Sequence, residues 1–492
     1  MLGNLITKFL SIVYLIPLLR FNEEIGNLNS FLLVPFALIV VFGTLGLDVI
    51  LTSEIVKTLG DKNKLKSIVI SSFVILLLTG LIAGLVTFFG AEYLVTKFTV
   101  SGYVYIDELI KGTQLLSFAV FLFAVTAFFR AIITAMGEYT VVSMSYISEQ
   151  VIKIILLVVL CYQYIFIQGL NVGVYVYILS ISMVISMITT FLIYLFIFLK
   201  HKYYVPLFEG KYTHDWKLYK YLFVASLVFF AAGLFTPFFD QIDISMMQTN
   251  LYDAGVKDNV ITTVINEYFV YSLKFIMIPI TTAAAFITVM IRHLHVNKEG
   301  EKRVQEFNQI INVSLIYGVL SMAGLFIVGP ILIELFYGVK SIGLMAIQSL
   351  LIPFYIIRNI IGSYIVTNDG SSKSIIISMI LIIVSKYLFN IVLFPIIGVY
   401  GFIVSSMLAI IISLLVLILM NKNLFVLDKE QIIEKTSIII RGIFCLVLGS
   451  VIMKFGFMIF DSSMLDLIVG IVLELLIIII VFKKYIIKYM KR

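Results

Sequence analysis

Charge is scarce in this chain. Of its 492 residues only 13% are charged while 61% are hydrophobic, and mean hydropathy is +1.12. Soluble domains carry about 25% charged residues. No soluble core could hide so large an apolar share, so the excess faces lipid and the chain is a polytopic membrane protein. Cysteine is nearly absent: Cys161 and Cys445 lie in separate apolar runs and imply no disulfide framework. The four histidines, His201, His214, His293 and His295, all fall in polar loops. No His/Cys/Asp/Glu cluster has metal-ligand spacing, and there is no Ser/His/Asp arrangement or glycine-rich phosphate loop. No large extramembrane segment leaves room for an ATPase or a soluble catalytic unit. These absences point away from an enzyme and from any metal or cofactor. The net charge of +7 fits basic cytoplasmic loops better than a nucleic-acid partner.

A span needs about 20 apolar residues. That ruler gives about fourteen spans, near 3–19, 30–58, 66–90, 113–135, 143–163, 173–199, 220–248, 263–291, 307–336, 342–366, 374–394, 398–420, 437–455 and 464–482. The N-terminus lacks a basic leader and a small-residue cleavage site, so 3–19 reads as the first span rather than a signal. The loops 60–66, 200–220, 292–303, 368–373, 421–435 and 483–492 together hold 21 Lys and Arg. The opposite loops hold only Lys97, Lys111, Lys257 and Lys340. Both termini are therefore expected in the cytoplasm. The longest basic loop suggests an N-lobe over 1–200, a linker over 201–219 and a C-lobe over 220–420. Residues 421–492 then supply two further spans and a basic tail. Transporters are often built as paired lobes.

Against this apolar background, single charges stand out. In YSLKFIMIPITTAAAF (271–286), Lys274 lies near the expected midplane. A charge there costs about 2.5–3.5 kcal/mol and usually faces a cavity or a partner. Either a neighbouring helix satisfies it or it lines a polar cavity. Lys8 and Arg20 bracket the first span, where snorkelling competes with a cavity role. Arg358 and Lys386 lie inside spans ten and eleven. Glu149 and Lys153, four apart, can pair along one helix face, or can gate or bind a coupling cation. Asp240 and Asp243, three apart toward the outer end of span seven, read as a solvated rim ahead of a proton relay. Asp48 and Glu54 in span two stay open. Several deep cations suggest an anionic substrate such as a phosphate or pyrophosphate headgroup.

The stretches ITKFLSIVYLIPLL (6–19) and TLGLDVILTSEIVKTLGD (44–61) resemble the opening of the MurJ/SpoVB-like flippases. These belong to the multidrug/oligosaccharidyl-lipid/polysaccharide exporter superfamily. RAIITAMGEYTVVSMSYISEQVIKI (130–154) resembles an arginine-led segment of the Gram-positive branch, with Arg130, Ser145, Glu149, Gln150 and Lys153 on its positions. KFIMIP (274–279) resembles the basic residue five places before a proline in span eight, and the likeness runs thinly on through KYLFNIVLFPIIGVYG (386–401). The resemblance implies an all-α fold of fourteen helices in two lobes that rock between inward-open and outward-open states. It implies a substrate, an undecaprenyl-pyrophosphate-linked glycan moved from the inner to the outer leaflet of the bacterial cytoplasmic membrane. It also implies that Lys8 and Lys274 occupy cavity positions. Tyr14, however, stands where proteobacterial MurJ proteins carry a second arginine, and Val40 and Val41 replace a basic pair. The thinner basic cavity leaves lipid II and a polysaccharide or teichoic-acid repeat unit both open as cargo.

Two competing readings make different demands. A MATE-like antiporter of organic cations needs an acidic cavity, which Glu149 and Asp48 keep in play. A membrane-embedded glycosyltransferase needs clustered outer carboxylates or histidines; the loop 91–111 offers Glu92, Asp107 and Glu108 without a catalytic grouping.

Overall fold

The computed structural model describes residues 2–99, 103–283, 300–367, 371–425, 429–456 and, further on, 469, 471–473, 476–477, 479–483 and 485. The loop around His293 and His295, the start of span fourteen and the end of the basic tail lie outside the described residues.

Every element among the described residues is a helix. Ten stretches among the described residues are long and apolar enough to cross a membrane. Trp216–Asp253 and Lys429–Gly456 are long helices outside those ten. The exterior and interior have the inverted character that lipid demands. Phe89, Val86, Ile82 and Phe196 are exposed, whereas Ser71, Ser72, Ser180, Ser182 and Ser413 are buried. Small hydroxyl residues let helices approach closely without burying a bulky polar group.

The chain divides into two compact units, residues 1–262 and 263–492. In the first, the helix Ile106–Ala135 is central. It packs against Glu24–Thr44, Leu47–Thr58, Lys62–Phe89 and Val174–Lys200. Tyr139–Cys161 packs on Leu2–Val13 and on Val174–Lys200, and runs into a π-helical turn at Tyr162–Ile167. Trp216–Asp253, placed by sequence at the start of the second lobe, packs on Glu24–Thr44 and Leu47–Thr58.

Two expected spans are broken. The first splits at Tyr14 into Leu2–Val13 and Leu15–Phe21. The second splits at Leu45 and Gly46, which both adopt left-handed backbone, φ 50° and 68°. Glycine takes that conformation without a Cβ penalty. At Gly46 it also makes room, because a Cβ there would sit 2.7 Å from Phe229 Cβ and 2.8 Å from Phe230 N. The break therefore seats the Glu24–Thr58 span against Trp216–Asp253.

The presumed linker is folded down. Lys66 donates to Gly210 O (2.9 Å), the Lys211 amide donates to Asn63 Oδ1 (2.7 Å), and Lys62 pairs with Glu209 at 3.0 Å. Residues 209–213 are thus tied to the start of Lys62–Phe89. At the opposite end of these helices Tyr103 donates to Glu24. Burial, and then the Glu24 carboxylate, push the Tyr103 phenol well above the usual tyrosine range.

In the second unit, Ser372–Ile397 and Tyr400–Met420 form a tight helical hairpin, turned at Gly398. Gly300–Tyr337 packs on Leu344–Ser349, Ile352–Thr367 and Lys429–Gly456. The last contact is close: a Cβ at Gly442 would lie 1.7 Å from Val319 Cγ1.

Candidate functional site

The charges singled out by sequence separate into groups. Arg130, in the last third of Ile106–Ala135, reaches Asp48 in the first turn of Leu47–Thr58, with Nη2 to Oδ2 at 2.8 Å. The two side chains are 15% and 21% exposed. The guanidinium also lies over the rings of Phe123 (5.4 Å) and Tyr146 (5.7 Å). Sequence singled out both residues, Asp48 as an open case in span two and Arg130 through the resemblance, without pairing them. Their partnership follows from the Leu45–Gly46 break, which turns the second half of that span toward Ile106–Ala135.

Glu149 and Lys153 sit beside this pair. Thr190 faces Glu149 Oε2 at 3.5 Å, and both Lys153 and Arg130 act on the carboxylate electrostatically. The Lys153 ammonium lies 5.8 Å from the ring centroid of Tyr14, which is itself buried. The tyrosine that replaces a cation in the resemblance thus presents a π face to a cation from another helix.

Asp240 and Asp243 differ from expectation. Asp240 is half-buried, and Asp243 is only 2% exposed, so it belongs to no solvated rim. The reason is length: the helix continues ten residues past Asp243 to Asp253, about 15 Å of further rise. Gln241 between them is buried, with neither amide atom hydrogen-bonded among the described residues. Glu54, left open by sequence, is held by Lys57 (3.0 Å) and by the Tyr221 hydroxyl (3.1 Å).

The proposed substrate cations are scattered along the chain. Lys8 lies in Leu2–Val13, its side chain outside the described part. Arg20 is exposed in the last turn of Leu15–Phe21. Lys274 is half-buried, directly after a π-helical turn at Asn266–Ser272. Arg358 is 5% exposed in Ile352–Thr367.

Lys386 is fully enclosed. Its ammonium donates to Phe402 O (2.6 Å), Ser406 Oγ (2.7 Å) and Ser405 Oγ (3.0 Å), bracing the 372–397 helix against the 400–420 helix. Three N–H groups meet three oxygens, so this lysine is a structural clamp.

Sequence reasoning missed Glu267. Buried in the π turn, its carboxylate accepts from the Ile342 amide (2.6 Å), the Leu344 amide (2.8 Å) and the Ser341 hydroxyl (2.8 Å). It thereby caps the start of Leu344–Ser349. The signal was present: a lone acid in the apolar run 263–283, seven residues before Lys274.

The model of the polysaccharide biosynthesis protein family matches residues 1–286. The chain belongs to this family. No curated protein matches it. Among solved structures, the chain resembles lipid II flippase MurJ in an inward closed conformation. That match has 17% identity and a TM-score of 0.68, and covers 99% of each chain. It also resembles an inward-facing multidrug resistance MATE family transporter of the MOP superfamily, with 17% identity and a TM-score of 0.65, over 86% of this chain and 94% of that one. A eukaryotic MATE transporter matches with 15% identity and a TM-score of 0.57, over 89% and 98%. These likenesses show the fold. The family member described here is a multi-pass membrane protein with the helical architecture shared by MurJ and the MATE transporters.

Proposed function

We propose that this family member is a flippase, moving an undecaprenyl-pyrophosphate-linked glycan from the inner to the outer leaflet of the cytoplasmic membrane by alternating access. One observation carries the reading over its rivals. The similarity to MurJ spans 99% of this chain, whereas that to the inward-facing MATE transporter leaves 14% of it unmatched. The family description points to polysaccharide synthesis in the same direction. The asymmetry of Lys and Arg between alternate loops supports fourteen spans with both termini cytoplasmic.

In this reading, Lys274, Lys8, Arg358 and Arg20 neutralise the phosphates as the headgroup crosses. That offsets the cost of bringing a polar head into a low-dielectric interior. The polyprenyl tail stays in lipid. Glu149, Lys153, Arg130, Asp48, Asp240 and Asp243 serve coupling and gating. Membrane potential contributes about 2.3 kcal/mol per charge per 100 mV. The cargo is lipid II or a polysaccharide or teichoic-acid repeat unit, and a glycan polymerase or synthase is the expected protein partner.

The test is depletion in the native host, followed by mass spectrometry of extracted polyprenyl-linked species, with a Lys274→Gln rescue strain alongside. Accumulated lipid II marks a peptidoglycan flippase; another lipid-linked glycan marks a capsule or teichoic-acid pathway. If no lipid-linked sugar changes, the flippase reading fails. The rival is a cation-coupled multidrug antiporter, supported by the MATE likeness and by Asp48 and Glu149. It predicts drug hypersensitivity on depletion instead. A Lys274→Gln strain indistinguishable from wild type removes Lys274 from the mechanism.

A further inference from the structure

Folding the 200–220 segment onto the start of Lys62–Phe89 has a result that neither loop announces alone. It gathers two basic loops, about 140 residues apart in sequence, into one surface. The ties are the contacts of Gly210, Lys211 and Glu209 with residues 62–66, together with Thr213, whose amide donates to Ser67 Oγ at 3.2 Å. Residues 57–66 and 200–220 contain nine lysines against three acids, Asp61, Glu209 and Asp215. Lys57, Lys62 and Lys64 are exposed on one side. Lys200, Lys202, Lys211, Lys217 and Lys220 are exposed on the other. Glu209 is paired with Lys62, Glu54 just outside the stretch is paired with Lys57, and Asp61 and Asp215 cap helices.

Aromatic groups stand among these lysines. His214 is the hub, 5.1 Å from the Trp216 ring and 5.3 Å from Tyr219, and the Tyr212 hydroxyl lies 3.1 Å from its Nδ1. Trp216 is the only tryptophan in the chain and is 75% exposed. Tyr204, Phe208 and Tyr221 are exposed nearby in the same segment. Exposed Trp and Tyr at the end of apolar helices mark the headgroup level of a bilayer. A lysine cluster at that level attracts anionic headgroups.

We infer that residues 57–66 and 200–220 form a binding surface for anionic phospholipid headgroups of the leaflet they face. Charge complementarity selects the ligand, a phosphate-bearing lipid with net negative charge, and the aromatic cluster sets its depth. The surface lies wholly within residues 1–262. Its assignment to the inner leaflet rests on the orientation proposed above; its lipid preference does not.

Trp216 supplies the readout. Full-length protein is placed in lipid nanodiscs containing brominated phosphatidylglycerol or, at equal mole fraction, brominated phosphatidylcholine, and quenching of its fluorescence is compared. The anionic lipid is expected to quench at least about threefold more strongly, since each surface lysine contributes about a fivefold preference at full effect. The preference falls toward one at 1 M salt, where the screening length is about 3 Å. It is lost in the variant Lys64→Gln/Lys202→Gln/Lys211→Gln/Lys217→Gln and kept when the same four become Arg, which controls for folding. Equal quenching by the two lipids, or a preference that survives in the glutamine variant, overturns the assignment. Because both leaflets carry the probe and no glycan is present, failure here leaves the flippase reading standing, and the converse holds too.

Discussion

Replacing Lys386 with methionine tests whether a charge in the middle of a span is there for chemistry or for packing. Its ammonium makes three hydrogen bonds at 2.6, 2.7 and 3.0 Å and is inaccessible to solvent. Bonds of this charged kind contribute about 1.5–3 kcal/mol each. Three give a gross gain of about 5–9 kcal/mol. Desolvating one ammonium costs several kcal/mol, so the net contribution is small. Methionine removes both terms and keeps most of the stem volume. The oxygens left behind have other partners: the Ser406 and Ser405 hydroxyls face Phe402 O at 3.0 and 2.9 Å, and Ser405 also faces Asn390. Lys386→Met is therefore expected to stay within about 2 kcal/mol of the parent. Lys386→Ala also empties the space of the stem and is expected to lose about 2–5 kcal/mol. Both cysteines are buried thiols outside any disulfide, so a thiol-reactive dye reports unfolding on heating in detergent. A methionine variant as unstable as the alanine variant refutes the cancellation and makes the charge itself necessary.

Three further outcomes follow from the geometry. Asp48→Asn strands the Arg130 guanidinium and is expected to cost about 3 kcal/mol, part of it recovered in Asp48→Asn/Arg130→Gln; a double-mutant cycle with no coupling energy sinks the pair. Glu267→Ala leaves two backbone amides and a hydroxyl without their acceptor, for an expected loss of about 3 kcal/mol, while Glu267→Gln keeps one oxygen and loses less. Proteolysis within 338–344 should rise in the same order, and unchanged cleavage in the alanine variant contradicts the cap. Gly46→Ala forces a Cβ into left-handed backbone and against Phe229, so thermal unfolding should show a loss of about 2–4 kcal/mol; wild-type stability would mean that the helices separate freely there.

Apolar runs made most spans legible, because a lipid-facing helix must be apolar for about 20 residues whatever its neighbours do. Breaks were not legible. Tyr14 and Leu45 interrupt helices without any change in hydropathy, and only Gly46 hinted at a turn. Single charges were visible as candidates, but their roles depend on partners that sequence cannot align. Arg130 and Asp48 lie 82 residues apart, and the serines that enclose Lys386 are on the next helix. Asp243 was misjudged because hydropathy ends a span before its helix ends. The linker was misread in character for a similar reason. Its polarity said loop, and nothing in its composition recorded that its backbone would bond to residues 62–67.

The π turn at Asn266–Ser272 bears on how Lys274 can be aimed. A π turn holds one residue more than the α turn it replaces. Returning that residue to regular α geometry advances everything beyond it by about 1.5 Å and swings it about 100° around the axis. Glu267, pinned by the amides of Ile342 and Leu344, lies near the start of this turn, and Lys274 lies just after its end. Were the turn to relax in this way, the anchored carboxylate would stay in place while the lysine turned. One residue of slack is enough to redirect a positive charge without moving the far side of the joint.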